Sequence, residues 1–450
     1  MTLFQSLHVR NYRLFASGQV VSLTGTWMQR VAQDWLVLEL SHNSGTAIGV
    51  TTALQFAPIP LLGMYGGVIA DRFNKRRVLV LTQIAMGLLA LALGLLDVTG
   101  SVQLWHVYLL AFGLGAATAI DSPVRQAFVT ELVGPSLLPN AVSLNSATFN
   151  MARVLGPAIA GVMIAATGTG WVFLVNTVSF AAVITGLLLM HDADLFVGKR
   201  ASRRPGQVRE GIAYVRTRPD LLMIIILVGV IGTLGFNFQL TTALIAKSTF
   251  HKGAASYGLL GTAFAIGSLL GALASARRGR PRQRLVLGAA FVFGLLEIVV
   301  GLMPTYWTFF ALLVPTGFAT LTFTTAANTS IQLNTSAVMR GRVMALYLIV
   351  FMGGTPLGAP LIGWLAEVAG ARWSLLVGGM SSAAAAAIVT LLLTRRKQLK
   401  VEPHLLRRRP HVHVTAMPQG EDVVLGTQEE AVLGTQDGAV LRAEQQPVVG

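Results

Sequence analysis

Four charged side chains lie inside long apolar stretches of the chain, where ionisable groups are rare. They are Arg30, Asp34, Arg153 and Glu297. A charge at the centre of a membrane costs about 2.5–3.5 kcal/mol on insertion scales, so such residues usually face a partner or a watery cavity. A carboxyl group in that setting can take up and release a proton. We therefore regard Asp34 and Glu297 as candidates for proton exchange or substrate coupling.

The spacing of Arg30 and Asp34 leaves two interpretations open. Residues four apart share a helix face, so Asp34 could be held in a static ion pair, whereas burial without that pairing would favour proton exchange. Glu297 has no evident partner nearby in the sequence, and Asn150 precedes Arg153 by about one turn. The sequence does not decide which carboxylate carries a proton.

A stripe of polar residues runs along the same apolar stretch as Arg30. Its members recur at spacings of three and four and therefore share one helical face: Gln19, Ser22, Thr26, Gln29 and Gln33. A helix surrounded by lipid would not keep such a row, so this face should line a central cavity or pack against a polar neighbour. We infer a water-accessible pathway and count Gln29 and Gln33 among the cavity candidates.

A glycine followed by an acid and a basic cluster marks residues 67–77, which read Gly-Val-Ile-Ala-Asp-Arg-Phe-Asn-Lys-Arg-Arg. Glycine lets helices approach closely, the acid can accept charge-assisted hydrogen bonds, and the cations can bind anionic lipid headgroups. The alternative is that the cluster only fixes topology. We predict a conformational latch made of Gly67, Asp71, Arg72, Arg76 and Arg77.

A second glycine-containing segment begins at Arg153 and continues through Gly156, Pro157 and Gly161. The two glycines would permit tight helix packing, and the proline removes one backbone donor and bends its helix. A bend of this kind could be a generic membrane kink or part of the mechanism.

The elements that must hold these residues are apolar helices. Of 450 residues, 53% are hydrophobic and 12% charged, against about 25% charged in a soluble domain. Because a span needs about 20 apolar residues, the sequence predicts twelve spans and excludes a large soluble core. The chain has no Cys, which excludes thiolate zinc sites and cysteine nucleophiles. We assign no metal site to the scattered His404, His411 and His413.

One long polar stretch divides the predicted spans six and six. We therefore expect an N-terminal six-helix bundle at 1–190, a cytoplasmic linker at 191–219, a C-terminal six-helix bundle at 220–394 and a disordered cytoplasmic tail at 395–450. Residues 155–175 align without a gap with residues 357–377. A repeat of this kind is typical of a pseudo-symmetric transporter whose binding site lies between its two halves.

The formal net charge of +15 could suggest a nucleic-acid partner. If the N-terminus is cytoplasmic, however, nearly all Lys and Arg residues fall on the cytoplasmic side. The loops on the opposite side then carry Lys247, Lys252 and Arg372. This asymmetry follows the positive-inside rule. We therefore expect a multi-pass plasma-membrane protein with both termini in the cytoplasm and no nucleic-acid partner.

Together with the twelve spans, residues 67–77 resemble the GxxxD(R/K)xxxRR loop signature of the major facilitator superfamily. Residues 153–161 resemble, incompletely, the glycine-proline motif of that family's antiporters. The opening at 11–40 looks like the exporter branch that includes enterobactin and macrolide efflux proteins, and the resemblance runs over about residues 7–394. It implies an all-α membrane protein of two pseudo-symmetric six-helix bundles, in which the Asp71 loop stabilises the outward-facing state.

One departure from the family pattern concerns proton coupling. The fourth predicted span, at 104–120, lacks the Arg that many family members place there. This absence puts the usual coupling scheme in doubt and directs attention to Arg30, Asp34 and Arg125.

The function that these features favour is secondary active transport. We expect a monomer in the lipid bilayer that exports amphipathic small molecules (a drug, antibiotic or siderophore) by proton antiport and alternating access. The proton gradient would supply the energy, without a cofactor. The alternatives are uptake by proton symport and a non-transporting receptor or scaffold. An enzyme is not expected, because no nucleophile–base pair or phosphate-binding loop stands out.

Overall fold

Long helices make up nearly all of the computed structural model, which describes residues 4–196, 207–278, 281–396, 399–404 and 411–416. The first seven helices are α1 (Arg10–Leu40), α2 (Gly45–Phe56), α3 (Pro58–Arg72), α4 (Lys75–Val98), α5 (Leu104–Thr167), α6 (Thr169–Leu188) and α7 (Gln207–Arg216). The other seven are α8 (Pro219–Val230), α9 (Phe238–Leu244), α10 (Ala254–Ala276), α11 (Gln283–Leu302), α12 (Tyr306–Asn334), α13 (Ala337–Ala369) and α14 (Ala371–Arg396).

These helices account for twelve membrane crossings. Ten segments of the described chain are long and apolar enough to cross a membrane, and α5 is counted once among them. At 1.5 Å per residue the 64 residues of α5 would extend about 96 Å, three times the roughly 30 Å hydrocarbon layer. Gly134, with φ of 68°, turns the chain back and makes α5 two crossings. The 31-residue α1 is the twelfth crossing. It is not among the ten apolar segments because its polar stripe lowers its mean hydropathy. The predicted fold class is confirmed.

The crossing between Pro219 and Thr249 is not a continuous α-helix. Two π-helical segments, Ile231–Gly235 and Ile245–Thr249, interrupt it on either side of Asn237. Such interruptions occur most often at functional sites, and transporters use discontinuous helices around their substrate sites. This crossing therefore places irregular backbone near the middle of the bundle.

Close helix contacts at glycines join the two halves. A Cβ atom on Gly45 would lie 2.3 Å from the carbonyl oxygen of Gly363, and one on Gly258 would lie 2.2 Å from that of Pro157. Only residues without a side chain allow α2 to pack this closely on α13, and α10 on α5. Near the first contact, Glu367 accepts hydrogen bonds from the Ser44 hydroxyl at 2.9 Å and the Thr46 amide at 3.0 Å.

We call this side of the bundle the Glu367 end and the opposite side, where α3 ends and α4 begins, the Asp71 end. The Glu367 carboxylate links α13 to the start of α2, so the two halves are joined at the Glu367 end.

A short hairpin lies in the segment for which the sequence predicts disorder. Strand β1 (Leu399–His404) pairs antiparallel with β2 (His411–Ala416), with Leu399 opposite Ala416. Val412 and Val414 alternate with polar residues in β2, which is the period of a strand. These residues form regular structure, while the prediction for 417–450 lies outside the described residues. The linker residues 197–206 also lie outside them.

We predict that Gly258→Leu opens the Glu367 end. Overpacking costs about 1–3 kcal/mol, so the joined state should lose a factor of about 5 to 150 in population. The measurement is the alkylation rate of Ala366→Cys, since Ala366 is buried beside Gly45 and the chain has no other Cys.

Gly288→Leu is the matched control, because nothing lies within 4 Å of a Cβ atom at Gly288. The alkylation rate should not change in this variant. An unchanged rate in Gly258→Leu as well would contradict the idea that the glycine contacts hold this end together.

Candidate functional site

A cavity of about 300 Å³ lies between the two halves of the bundle. The first half contributes Trp27, Val31, Arg153 and Pro157 to its wall. The second half contributes polar Gln239, Thr242 and Tyr257 and a set of aromatic rings, namely Phe236, Phe238, Phe264 and Phe351. An apolar wall with a few convergent polar groups is typical of a small-molecule site. Phe236 and Phe238 follow the first π-helical segment, which explains how this crossing brings them to the cavity.

The carboxylate of Asp34 joins the halves beside this cavity. Asp34 is only 4% exposed, and its Oδ2 atom accepts hydrogen bonds from Gln239 Nε2 at 2.6 Å and from the Tyr257 hydroxyl at 2.8 Å. Both donors belong to the second half, while Asp34 belongs to α1. The ring of Tyr257 also stacks on Trp35, with centroids 6.2 Å apart. One acidic group of the first half is therefore held by two neutral donors of the second.

Arg30 does not form the ion pair with Asp34 that their spacing allows. Both residues are described, and no guanidinium nitrogen of Arg30 lies within 4.0 Å of an Asp34 oxygen among the salt bridges found. The Arg30 guanidinium instead lies 4.8 Å from the ring centroid of Trp27 and 5.5 Å from that of Phe56. Its Nε atom is buried and has no hydrogen-bond partner. The static ion pair is thus not the arrangement of this structure.

Arg153 lines the cavity and also lies near Trp27. Its guanidinium carbon lies 6.0 Å from the Trp27 centroid and 5.7 Å from that of Phe264, and one amino group donates to Ser268 Oγ at 2.9 Å. Asn150 does not assist it, because the Asn150 amide donates to the Ser146 carbonyl of its own helix at 2.8 Å.

The stripe of glutamines on α1 packs inside the first half. Gln29 accepts a hydrogen bond from Asn176, and Gln33 donates to Gln55 at 3.0 Å. Of the two alternatives for this face, a polar neighbour is the one that the structure shows for Gln29 and Gln33. The adjacent face of α1 carries Trp27, Arg30 and Asp34, and Trp27 lines the cavity. Their spacing of three and four residues was visible in the sequence and could have identified it.

The glycines of the 153–161 segment make the close contacts expected of them. A Cβ atom on Gly156 would lie 2.5 Å from Trp27 Cβ, and one on Gly161 would lie 2.8 Å from the Ala254 carbonyl oxygen. The segment thus packs on α1 on one side and on α10 on the other, and Pro157 lines the cavity between them. Its role in antiport stays a prediction.

The basic part of the 67–77 loop binds within the first half. Arg76 donates to the carbonyl oxygens of Leu187 and Leu188, at 2.6 and 2.9 Å, and so caps the end of α6. Lys75 forms a 2.6 Å salt bridge with Glu131. The Asn74 side chain caps α4 by accepting a hydrogen bond from the Arg77 amide, while Gly67, Asp71 and Arg72 lie in the last turns of α3. The latch role of this loop stays a prediction.

A buried polar network near the Asp71 end is the feature that the sequence analysis missed. Asp121 is 3% exposed and accepts hydrogen bonds from Thr82 Oγ1 and Gln83 Nε2, both at 2.8 Å. Arg125 Nε donates to it at 2.8 Å, and the same guanidinium binds Gln19. The missing Arg of the fourth span directed attention to Arg125 but did not identify Asp121 as its partner. Its four-residue spacing from Asp121 was the available signal.

Glu297 lies apart from the cavity wall. It is 2% exposed, its Oε2 atom has no hydrogen-bond partner, and it packs against Gly378 and Gly235. No group of three or more potential metal ligands occurs in the described ranges.

A twelve-helix membrane bundle whose repeated halves enclose a central cavity is a secondary transporter of the major facilitator type, and not an enzyme. Comparison with family models makes the assignment specific. The model described as transmembrane secretion effector matches residues 2–433, so the chain belongs to that family.

Two named relatives illustrate the similarity. The staphyloferrin A transporter of Staphylococcus aureus is 25% identical over 376 residues, which cover 82% of this chain and 93% of that relative. The multidrug efflux pump Tap of Mycolicibacterium fortuitum is 26% identical over 365 residues, covering 78% of this chain and 88% of the pump. The resemblance to the exporter branch is confirmed.

Among solved structures, a bacterial homologue of the human lysosomal transporter Spinster, in an inward-facing and unoccupied conformation, is similar with a TM-score of 0.65. It is 15% identical, and the match covers 85% of this chain and 96% of that one. At this identity the likeness supports the fold alone.

We predict that Asp121→Ala strongly destabilises the protein, because it leaves the Arg125 guanidinium without its carboxylate. Breaking a buried pair costs about 3–5 kcal/mol. Thermal unfolding in detergent should show a marked drop in Tm, and the double variant Asp121→Ala/Arg125→Leu should recover part of it. Asp220→Ala, which breaks a more exposed pair with Arg218, is the control and should cost about 1 kcal/mol or less. Equal losses in all three variants would contradict this account.

Proposed function

We propose that the protein is a proton-coupled antiporter that exports amphipathic small organic molecules across the plasma membrane by alternating access. The observation that carries the proposal is the Asp34 carboxylate, which one half supplies and the other half holds through Gln239 and Tyr257. Both donors also line the cavity, so a substrate there meets the groups that bind Asp34. Exporter relatives that carry siderophore and multidrug names support the substrate class.

The orientation follows from the positive-inside rule. With both termini in the cytoplasm, the Glu367 end faces the outside and the Asp71 end faces the cytoplasm. The contacts of Gly45 with Gly363 and of Gly258 with Pro157 then close the outer side. The described conformation is accordingly the one that loads substrate from the cytoplasm. Export requires these contacts to separate.

The same contact gives protons a direction. While the Glu367 end is joined, Asp34 is closed to the outside, and the two donated hydrogen bonds stabilise its charged form. When the outer side opens, the two donors separate from Asp34 and external protons can reach it. One proton thus enters for each substrate that leaves.

The proton gradient supplies enough energy for this cycle. A charge that crosses about 150 mV gains roughly 3.5 kcal/mol, at about 2.3 kcal/mol per 100 mV. Since about 1.4 kcal/mol corresponds to a tenfold ratio, one proton can sustain a substrate gradient of about 300-fold.

An export screen of a deletion strain tests the function itself. Accumulation of siderophores, macrolides and dyes is measured with and without an uncoupler. We expect at least one compound to accumulate when either the gene or the proton gradient is removed. Accumulation that responds to neither would favour a receptor or scaffold, and gene-dependent uptake would favour the symporter.

We predict that Asp34→Asn abolishes proton coupling but keeps substrate binding, because Asn can still accept hydrogen bonds from Gln239 and Tyr257. In reconstituted vesicles, export driven by a pH gradient should fall at least about tenfold. Downhill exchange of substrate should persist. Substrate-induced proton movement is recorded with a trapped pH dye.

Glu297→Gln and Glu39→Gln are the matched controls, since Glu297 lies off the cavity and Glu39 accepts a hydrogen bond from Trp35 near the Glu367 end. Both should keep the proton signal. A normal signal in Asp34→Asn, or its loss in Glu297→Gln, would assign the proton to a different carboxylate.

We also predict that Asp71→Asn slows transport at least about tenfold at unchanged membrane abundance. Removing the charge weakens the charge-assisted hydrogen bonds that the latch needs, and each is about twice as strong as a neutral one. Transport is measured per molecule inserted, from quantified membrane protein. Asp97→Asn, at the opposite end, removes a carboxylate bound to Thr169 and should transport normally. Wild-type rates in Asp71→Asn would refute the latch.

A further inference from the structure

Positive charge is concentrated around Trp27, which lines the cavity together with Arg153. Arg30 and Arg153 both lie on Trp27, and neither has a carboxylate within salt-bridge distance in the part of the chain that the structure describes. Asp34 is the nearest acid along α1, and its Oδ2 atom already accepts from Gln239 and Tyr257. Two cations therefore lie against one residue of the cavity wall.

Neither guanidinium is fully satisfied by protein groups. Arg30 Nε is buried without any hydrogen-bond partner, and the one side-chain hydrogen bond of Arg153 goes to the neutral hydroxyl of Ser268. Contacts with the Trp27 ring offset part of the desolvation of a cation, but they use the face of the guanidinium and leave its N–H groups free to donate. These N–H groups need an acceptor.

The two arginines lie near one ring. Their guanidinium carbons lie 4.8 and 6.0 Å from the Trp27 centroid, and the two charges interact electrostatically. A negatively charged group beside Trp27 would relieve this repulsion and could accept from both planar forks, a geometry that guanidinium groups favour for carboxylates.

We propose that Arg30 and Arg153 bind the anionic group of an organic anion, a carboxylate or an ionised phenol, whose apolar body packs on Phe236, Phe238 and Phe264. This inference rests on the proposed export function and specifies its substrate class. The aromatic rings supply the apolar side of the cavity, so charge recognition and apolar packing occur at opposite ends of one ligand. The inside-negative membrane potential also favours the exit of an anion.

A pair of ligands with one aromatic body isolates the charge. The binding of 1-naphthylacetate and of its neutral amide, 1-naphthylacetamide, to the purified full-length protein is measured by titration calorimetry. We expect the wild type to bind the carboxylate at least about tenfold more tightly than the amide. Arg30→Gln and Arg153→Gln should each reduce this preference to about twofold or less, while amide binding changes little.

Three variants separate charge recognition from misfolding. Arg30→Lys and Arg153→Lys keep the positive charge and should retain part of the preference. Arg278→Gln removes an arginine that lies on Phe318, outside the cavity wall, and should keep the full preference. A preference that survives in both Gln variants overturns the proposal.

The wild type alone can also overturn it. Equal binding of the two ligands, or no binding of either, rejects the anion site while leaving proton-driven export in the vesicle assay intact. If export fails but the charge preference depends on both arginines, the anion site stands and the proposed function does not.

Discussion

The contact of Asp34 with Gln239 and Tyr257 sets the constraint on which the arrangement of the bundle depends. A carboxylate at membrane depth is tolerated only with donors around it, and here both donors come from the opposite half of the molecule. The two halves must therefore meet at the cavity whenever Asp34 is charged and shielded from water. A movement that separates them must change the surroundings of this carboxyl group, and the proton coupling that we propose rests on this change.

Packing at the Glu367 end makes that meeting possible. Helices approach within van der Waals contact of each other's backbone where Gly45 faces Gly363 and where Gly258 faces Pro157. In a lipid environment no hydrophobic force drives helices together, so close backbone packing and a few hydrogen bonds supply the attraction. Such an interface is specific but small. It can be undone and remade, as alternating access requires, because few large side chains interdigitate across it.

Polar groups have two different roles in this bundle. Gln19, Gln29 and Asp121 are paired inside the first half, where complete pairing rigidifies the helices and keeps charge away from lipid. Arg153 lines the cavity, Arg30 lies near it on Trp27, and both retain unused donors. The first group holds the half together as one body, whereas the second leaves binding capacity for a ligand. The distinction depends on partners, and residue type alone does not reveal it.

The sequence by itself determined the class of protein, the number of crossings and the residues at membrane depth, because hydropathy and charge are properties of short segments. It also located Gly156 and Gly161, which make close contacts in the structure. Only the tertiary structure decided that Asp34 binds Gln239 and Tyr257, which lie 205 and 223 residues away, rather than Arg30 four residues before it. The spacing of residues in the sequence shows only the possible partners of Asp34 on its own helix. The packing of distant helices selects among them, since the buried group takes the donors that folding brings within hydrogen-bond distance.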